Sequence, residues 1–178
     1  MILIIKIINK KFHYFEFVKP IEDVLRKNKI DFNTVGYEKV NEDIIKKANK
    51  IIISGASLKD NEFLEDIDKF KWIKNFNNPI LGICGGMHIL GLIYDGELNK
   101  QQEIGLNEIL FKEEFLGFNN KLEVYELHNF FAFSKEFKIY AKSKKCPQAI
   151  KHKKKPFYGV LFHPEVRNKR LILNFANL

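Results

Sequence analysis

Cysteine is scarce: Cys84 and Cys146 are the only two in 178 residues. That excludes a disulfide-stapled scaffold and fits a reducing, cytoplasmic compartment. No apolar run approaches the roughly 20 residues that a membrane-spanning helix needs. The opening stretch Met1–Ile8 has no cleavage region and reads as a strand, not a secretion signal. A glycine-rich phosphate loop is also missing, so nucleotide chemistry would have to sit on another chain. There are no repeats, low-complexity tracts or linkers, and a single domain, residues 1–178, is expected.

Hydrophobic residues make up 46% and charged residues 29%, the balance of a soluble globular chain with a sizeable core. The net charge of +8 raises a nucleic-acid hypothesis. However, the lysines are dispersed. Their one dense cluster, Lys151, Lys153, Lys154 and Lys155, has no interleaved aromatics and reads as a solvated turn. Neither a nucleic-acid nor a membrane partner is expected.

Along the chain, strands are expected at residues 2–8, 29–35 and 51–53, and helices at 20–28, 42–48 and 61–75. A strand ending at Ile83 runs into an apolar helix to about Ile93. This alternation predicts an α/β fold of flavodoxin type, an open, mostly parallel sheet with helices on both faces. The second half reads differently. Short strands are expected at residues 103–110, 121–127, 130–133, 138–141 and 148–151, some as antiparallel additions. A strand over 156–162 and a helix over 168–176 follow.

Three strand ends carry reactive residues: Gly55-Ala56-Ser57, Cys84-Gly85-Gly86 and His163-Pro164-Glu165. In open α/β sheets, sites form beyond the carboxyl ends of strands, so neighbouring strands would bring these tips together. Cys84 sits at a strand-to-helix turn, where it would be held out of the packed layers and exposed. The helix N-terminus favours a thiolate there. The plainer reading is a buried core cysteine. His163 and Glu165 are two residues apart and share a face in extended backbone. Glu165 can then orient the ring, leaving one nitrogen for Cys84, which is a nucleophile–base–orienter triad suited to acyl transfer. Cys146 has no histidine near it in sequence and reads as a bystander.

The stretches Pro79-Ile80-Leu81-Gly82-Ile83-Cys84-Gly85-Gly86 and Gly159-Val160-Leu161-Phe162-His163-Pro164-Glu165-Val166 resemble the class I, or triad, glutamine amidotransferases. Ile53-Ser54-Gly55-Ala56 resembles that family's oxyanion strand. Gln148 to Lys153, leading into Phe157-Tyr158-Gly159-Val160, is most similar to the separate glutaminase subunit of archaeal-type GMP synthase. The resemblance implies hydrolysis of the glutamine side-chain amide through a Cys84 thioester. His163 would be the base, Glu165 its orienter, and the backbone N–H groups of Ala56 and Gly85 the oxyanion hole. No metal or cofactor is implied for this half-reaction. Ammonia would pass to a separate ATP-dependent synthetase subunit.

The substrate shell departs from the family pattern. His88 stands where the family has a glutamine, Ala56 and Ser57 replace Gly and Pro, and Leu127-His128-Asn129-Phe130 replaces S-H-x-D. Gly55, His88, His128 and Asn129 are the expected substrate-binding positions. His88 would read the substrate or, if protonated, support the thiolate; otherwise it would pack beside Leu92 or Tyr94. A catalytically silent paralogue and a hydrolase of another γ-glutamyl compound are the alternatives.

Overall fold

The computed structural model describes residues 1–178. The apolar run at the start forms β1 (Ile2–Lys6), which is buried on both faces. A short helix α1 (Lys11–His13) leads through a π-helical turn, Tyr14–Val18, into α2 (Lys19–Lys27), with Pro20 in its first turn. β2 (Phe32–Gly36), α3 (Glu42–Lys46) and β3 (Lys50–Ile53) follow. Asn41 caps α3, its side chain accepting from the Ile44 N–H.

The helix expected over 61–75 is only partly α-helical. α4 (Glu62–Glu65) is one turn long, and Ile67–Asn75 is a 3₁₀-helix. Its buried residues explain the change. Ile67, Phe70 and Ile73, which pack into the core, recur every three residues, the period of a 3₁₀ and not of an α-helix.

β4 (Ile80–Ile83) enters α5 (Gly85–Ile93), which is buried almost throughout. Then comes the largest departure from expectation. The fragments foreseen over 103–133 merge into two long strands, β5 (Glu97–Phe115) and β6 (Phe118–Phe133), paired antiparallel. Leu116 and Gly117 turn the chain with φ of 49° and 78°. Positive φ at both central residues marks the hairpin turn that matches strand twist. Leu-Gly is a weak signal for it, so the sequence pattern showed fragments. β7 (Phe137–Lys142), β8 (Pro147–His152), β9 (Phe157–Val160) and α6 (Lys169–Ala176) complete the chain.

All nine strands form one sheet in the order β2-β1-β3-β4-β9-β8-β7-β5-β6. The first five are parallel, and from β9 onward every pairing is antiparallel. The sheet is thus mixed, and its antiparallel half is more extensive than short added strands would make it. A continuous core runs beneath it from Ile2 to Ala176. α2 packs on α6, and α5 packs on the 3₁₀-helix and on β3, β4 and β9. Of the lysine cluster, Lys151 is on β8 and Lys153, Lys154 and Lys155 lie in the turn between β8 and β9, where Lys155 donates to the carbonyls of Lys74 and Phe76.

Candidate active site

β3, β4 and β9 are adjacent, so their carboxyl ends converge as the sequence led one to expect. The turn after β4 is tight. Cys84 has φ 47° and ψ −102°, a strained conformation for a residue with a β-carbon. Its N–H is anchored to the Val160 carbonyl at 2.7 Å, tying the elbow to β9. Close packing depends on glycine here. A β-carbon on Gly82 would fall 2.5 Å from the Gly86 carbonyl group, so only glycine lets α5 lie this near its strand.

The cysteine is not exposed as expected. Cys84 is 4% accessible, because β6 closes over it and the Leu127 carbonyl accepts from its thiol at 3.7 Å. It borders a narrow cleft with Ala56, Asp60, Gly85, His88 and Phe130. A wider depression near Glu114, Tyr140 and Asn174, by the β5–β6 turn, contains no nucleophile.

His163 and Glu165 lie just beyond β9, both fully buried. Nδ1 of the ring is 2.7 Å from Glu165 Oε1, which places the proton on Nδ1 and leaves Nε2 without a hydrogen-bond partner. Burial alone would push the ring toward neutrality. The charges of Glu165 and of the neighbouring Cys84 sulfur outweigh it and hold the His163 pKa well above the ordinary value. The His163 N–H donates to the Tyr125 carbonyl, fastening this loop to β6. Gly55 lies against the ring: a β-carbon there would be 2.7 Å from His163 Cε1.

The expected substrate residues divide. His88 lines the cleft and does not pack away beside Leu92. Burial lowers its pKa to about 4, so the imidazole is neutral near pH 7 and does not support a thiolate by charge. Its Nε2 lies 3.0 Å from the Phe130 carbonyl, which fixes the donor on that nitrogen. His128 and Asn129 border the cleft, but their polar ends are engaged elsewhere. His128 Nδ1 meets the Gln101 carbonyl at 3.0 Å, and Asn129 Oδ1 accepts from Gln102. The cause is the register of β6, which turns the His128 ring into the interior between β5 and β6.

Three residues were not anticipated. Phe17, in the π-helical turn, packs on His163 at 5.2 Å between ring centroids. Asp60 is wholly buried in the cleft wall, paired with His13 through Oδ2, while Oδ1 has no hydrogen bond and lies 3.9 Å from the Lys10 ammonium. Glu126 is buried below the cleft, and burial raises its pKa. The only sequence signal was an aromatic-rich stretch near Phe17; Asp60 and Glu126 gave none.

Comparison with known proteins places the chain among relatives. The sequence model of the family described as "Glutamine amidotransferase class-I" matches residues 13–174. A glutamine-hydrolyzing GMP synthase subunit of Pyrococcus abyssi is 37% identical over 145 residues, covering 72% of this chain and 74% of its own. The subunit of the same name from Methanocaldococcus jannaschii is 35% identical over 170 residues, covering 85% and 84%. Among solved structures, a protein described as a GMP synthase subunit from Thermoplasma acidophilum superposes with a TM-score of 0.86 at 25% identity, covering 99% of this chain and 92% of its own.

Proposed function

Since the chain belongs to the class-I glutamine amidotransferases, we propose that Cys84, His163 and Glu165 form its working triad and that glutamine is its substrate. The observation that carries this reading is the His163–Glu165 contact at 2.7 Å, with Nε2 left unpartnered beside the Cys84 sulfur.

The chemistry follows from those positions. With its pKa raised, the His163 ring already holds the thiol proton on Nε2, and the sulfur attacks the carbon of the side-chain carboxamide. The N–H groups of Ala56 and Gly85, both bordering the cleft, receive the oxyanion. The imidazolium gives its proton to departing ammonia, leaving a thioester. The neutral ring then activates water, and glutamate is released. Asp60 supplies a carboxylate oxygen, free of hydrogen bonds and only loosely paired with Lys10, that answers the substrate α-ammonium. Ammonia goes to a separate synthetase subunit. GMP synthase is the partner type that the similar subunits' names support.

The test is labelling with a glutamine-like chloroketone, read by mass spectrometry, together with glutamate release. An adduct on Cys84, activity lost in Cys84→Ala and activity retained in Cys146→Ala are expected. Normal turnover by Cys84→Ala would refute the triad. Cys84 reacting only with small alkylating agents would point to another substrate. Glutamate release is expected to rise when the synthetase and its substrates are added, because coupling two sites needs a shared equilibrium. Full activity of the isolated chain, unchanged by the partner, would refute that coupling.

A further inference from the structure

Beneath the cleft, on the interior side of β6, lies a group of side chains that the glutamine chemistry does not use. Glu103 on β5 stands directly opposite His128 on β6. Glu126 is two residues from His128 and shares its face. Cys146, just before β8, completes the group. All four are buried.

His128 and Glu126 are left unsatisfied, whereas Glu103 accepts from its neighbours. His128 Nδ1 is engaged with the Gln101 carbonyl and therefore carries the ring proton. In the neutral ring, Nε2 then presents a lone pair. It faces Glu126 Oε2 at 3.4 Å and Glu103 Oε2 at 3.6 Å, makes no hydrogen bond, and has no accessible side-chain surface. Both oxygens of Glu126 are also buried without partners. Cys146 Sγ is 3.2 Å from the same Glu103 Oε2. One lone pair, one carboxylate and a sulfur thus face a common point, with Glu126 beside the histidine. A single proton answers one of these contacts; a cation answers all of them.

We propose that Glu103, His128 and Cys146 bind one divalent transition-metal ion of the zinc type, in a structural role. The spacing fits. Tetrahedral bonds of about 2.0–2.3 Å set ligand atoms about 3.3–3.8 Å apart. The contacts of Glu103 with Cys146 and His128 are 3.2 and 3.6 Å. Mixed sulfur, imidazole and carboxylate ligands suit zinc better than magnesium or calcium. The surroundings fit as well. A ligating histidine ordinarily gives its other N–H to a carbonyl, as Nδ1 does here, and a ligating carboxylate is itself held by donors. Ser143, Asn107 and Gln148 all donate to Glu103. Entry of the ion displaces the Cys146 thiol proton to solvent.

Such an ion would tie β5, β6 and the segment before β8 together. Leu127, whose carbonyl meets the Cys84 thiol, immediately precedes the ligand His128. The metal would therefore fix one wall of the cleft while remaining outside the reaction.

The experiment uses the full chain, stripped with a chelator and titrated with Co²⁺. One equivalent should bind, giving a thiolate charge-transfer band and intense visible bands of a tetrahedral site, both removed by Zn²⁺. Cys146→Ser and His128→Ala should lose the thiolate band and the tight binding respectively, with folding checked by near-ultraviolet circular dichroism; Cys84→Ala should keep both. In the unmutated chain, Zn²⁺ should raise the melting temperature and slow alkylation of Cys146 but not of Cys84. These last readings need no variant. Stripped chain that shows no tetrahedral band in excess Co²⁺, or a band that depends on Cys84 and survives Cys146→Ser, overturns the proposal.

Discussion

A β-carbon on Gly55 would come within 2.7 Å of His163 Cε1 and 3.0 Å of Nδ1. The end of β3 is therefore the floor on which the imidazole rests. Gly55→Ala should push the ring aside without unfolding the sheet. Misplacing a catalytic group by about 1 Å is worth on the order of 10²-fold in rate. A fall of that size in kcat for glutamine, with unchanged circular dichroism, is expected. An alanine variant of normal kcat would show that the ring does not need this floor.

Glu165 should govern the charge of His163. The groups facing the ring are Glu165, Cys84 and the uncharged Phe17. Its folded pKa is raised, so the associated stability is fully present below the unfolded value, about 6.5, and is lost as pH rises through the folded value. Glu165→Gln should lower the His163 pKa seen by NMR titration. It should also flatten the decline in urea stability between neutral and alkaline pH. A titration curve that does not move would mean that the carboxylate only packs against the ring.

Asp60 should act on binding more than on chemistry. A hydrogen bond to a charged group is worth about 1.5–3 kcal/mol. Asp60→Asn keeps the shape and a partner for His13, but removes the charge. KM for glutamine should rise on the order of 10- to 100-fold, with kcat changed far less. Steady-state kinetics of the variant and the unmutated chain, with and without an α-amino group on the substrate, decides the matter. An equal loss for des-amino substrates would refute the assignment.

His88 makes two separable predictions. Its pKa of about 4 lies below the unfolded value of about 6.5, so the unfolded chain binds more protons between them. Stability is complete above about pH 6.5 and is lost as pH falls toward 4. Its titratable neighbours are His128 and His163, both of which disfavour its protonation. His88→Gln should remove on the order of 1–2 kcal/mol of the stability difference between pH 7 and pH 5, measured by urea unfolding. It should also improve glutamine use by a factor of several, since the ring's single donor is committed to Phe130 whereas an amide offers two. Identical acid sensitivity and identical kinetics in the variant would dismiss both roles.

The parallel half of the sheet was legible because its signals are local. Runs such as Ile51–Ile53 and Ile80–Ile83 mark buried strands, and chemistry at their ends follows from topology. The β5–β6 hairpin was not. Its register depends on pairings that turn propensity at Leu116-Gly117 does not announce, and register decides which way His128 points. A local motif could thus name His128 but not give its direction. Asp60 reaches the cleft through the connection after β3, and Phe17 reaches the His163 ring from a π-helical turn, and neither segment has a periodic pattern to read.

β9 is the last strand in sequence and the fifth of nine across the sheet. On the ribosome, β4 and its cysteine elbow emerge some eighty residues before His163, and the elbow lacks the Val160 carbonyl that anchors it. Until β9 inserts, the exposed edge of β4 is open to wrong pairing, and the strained Cys84 backbone has nothing to hold it. The nascent chain is therefore chemically silent for most of its synthesis. Reactivity should switch on late and all at once, when a four-residue strand slides in beside β4.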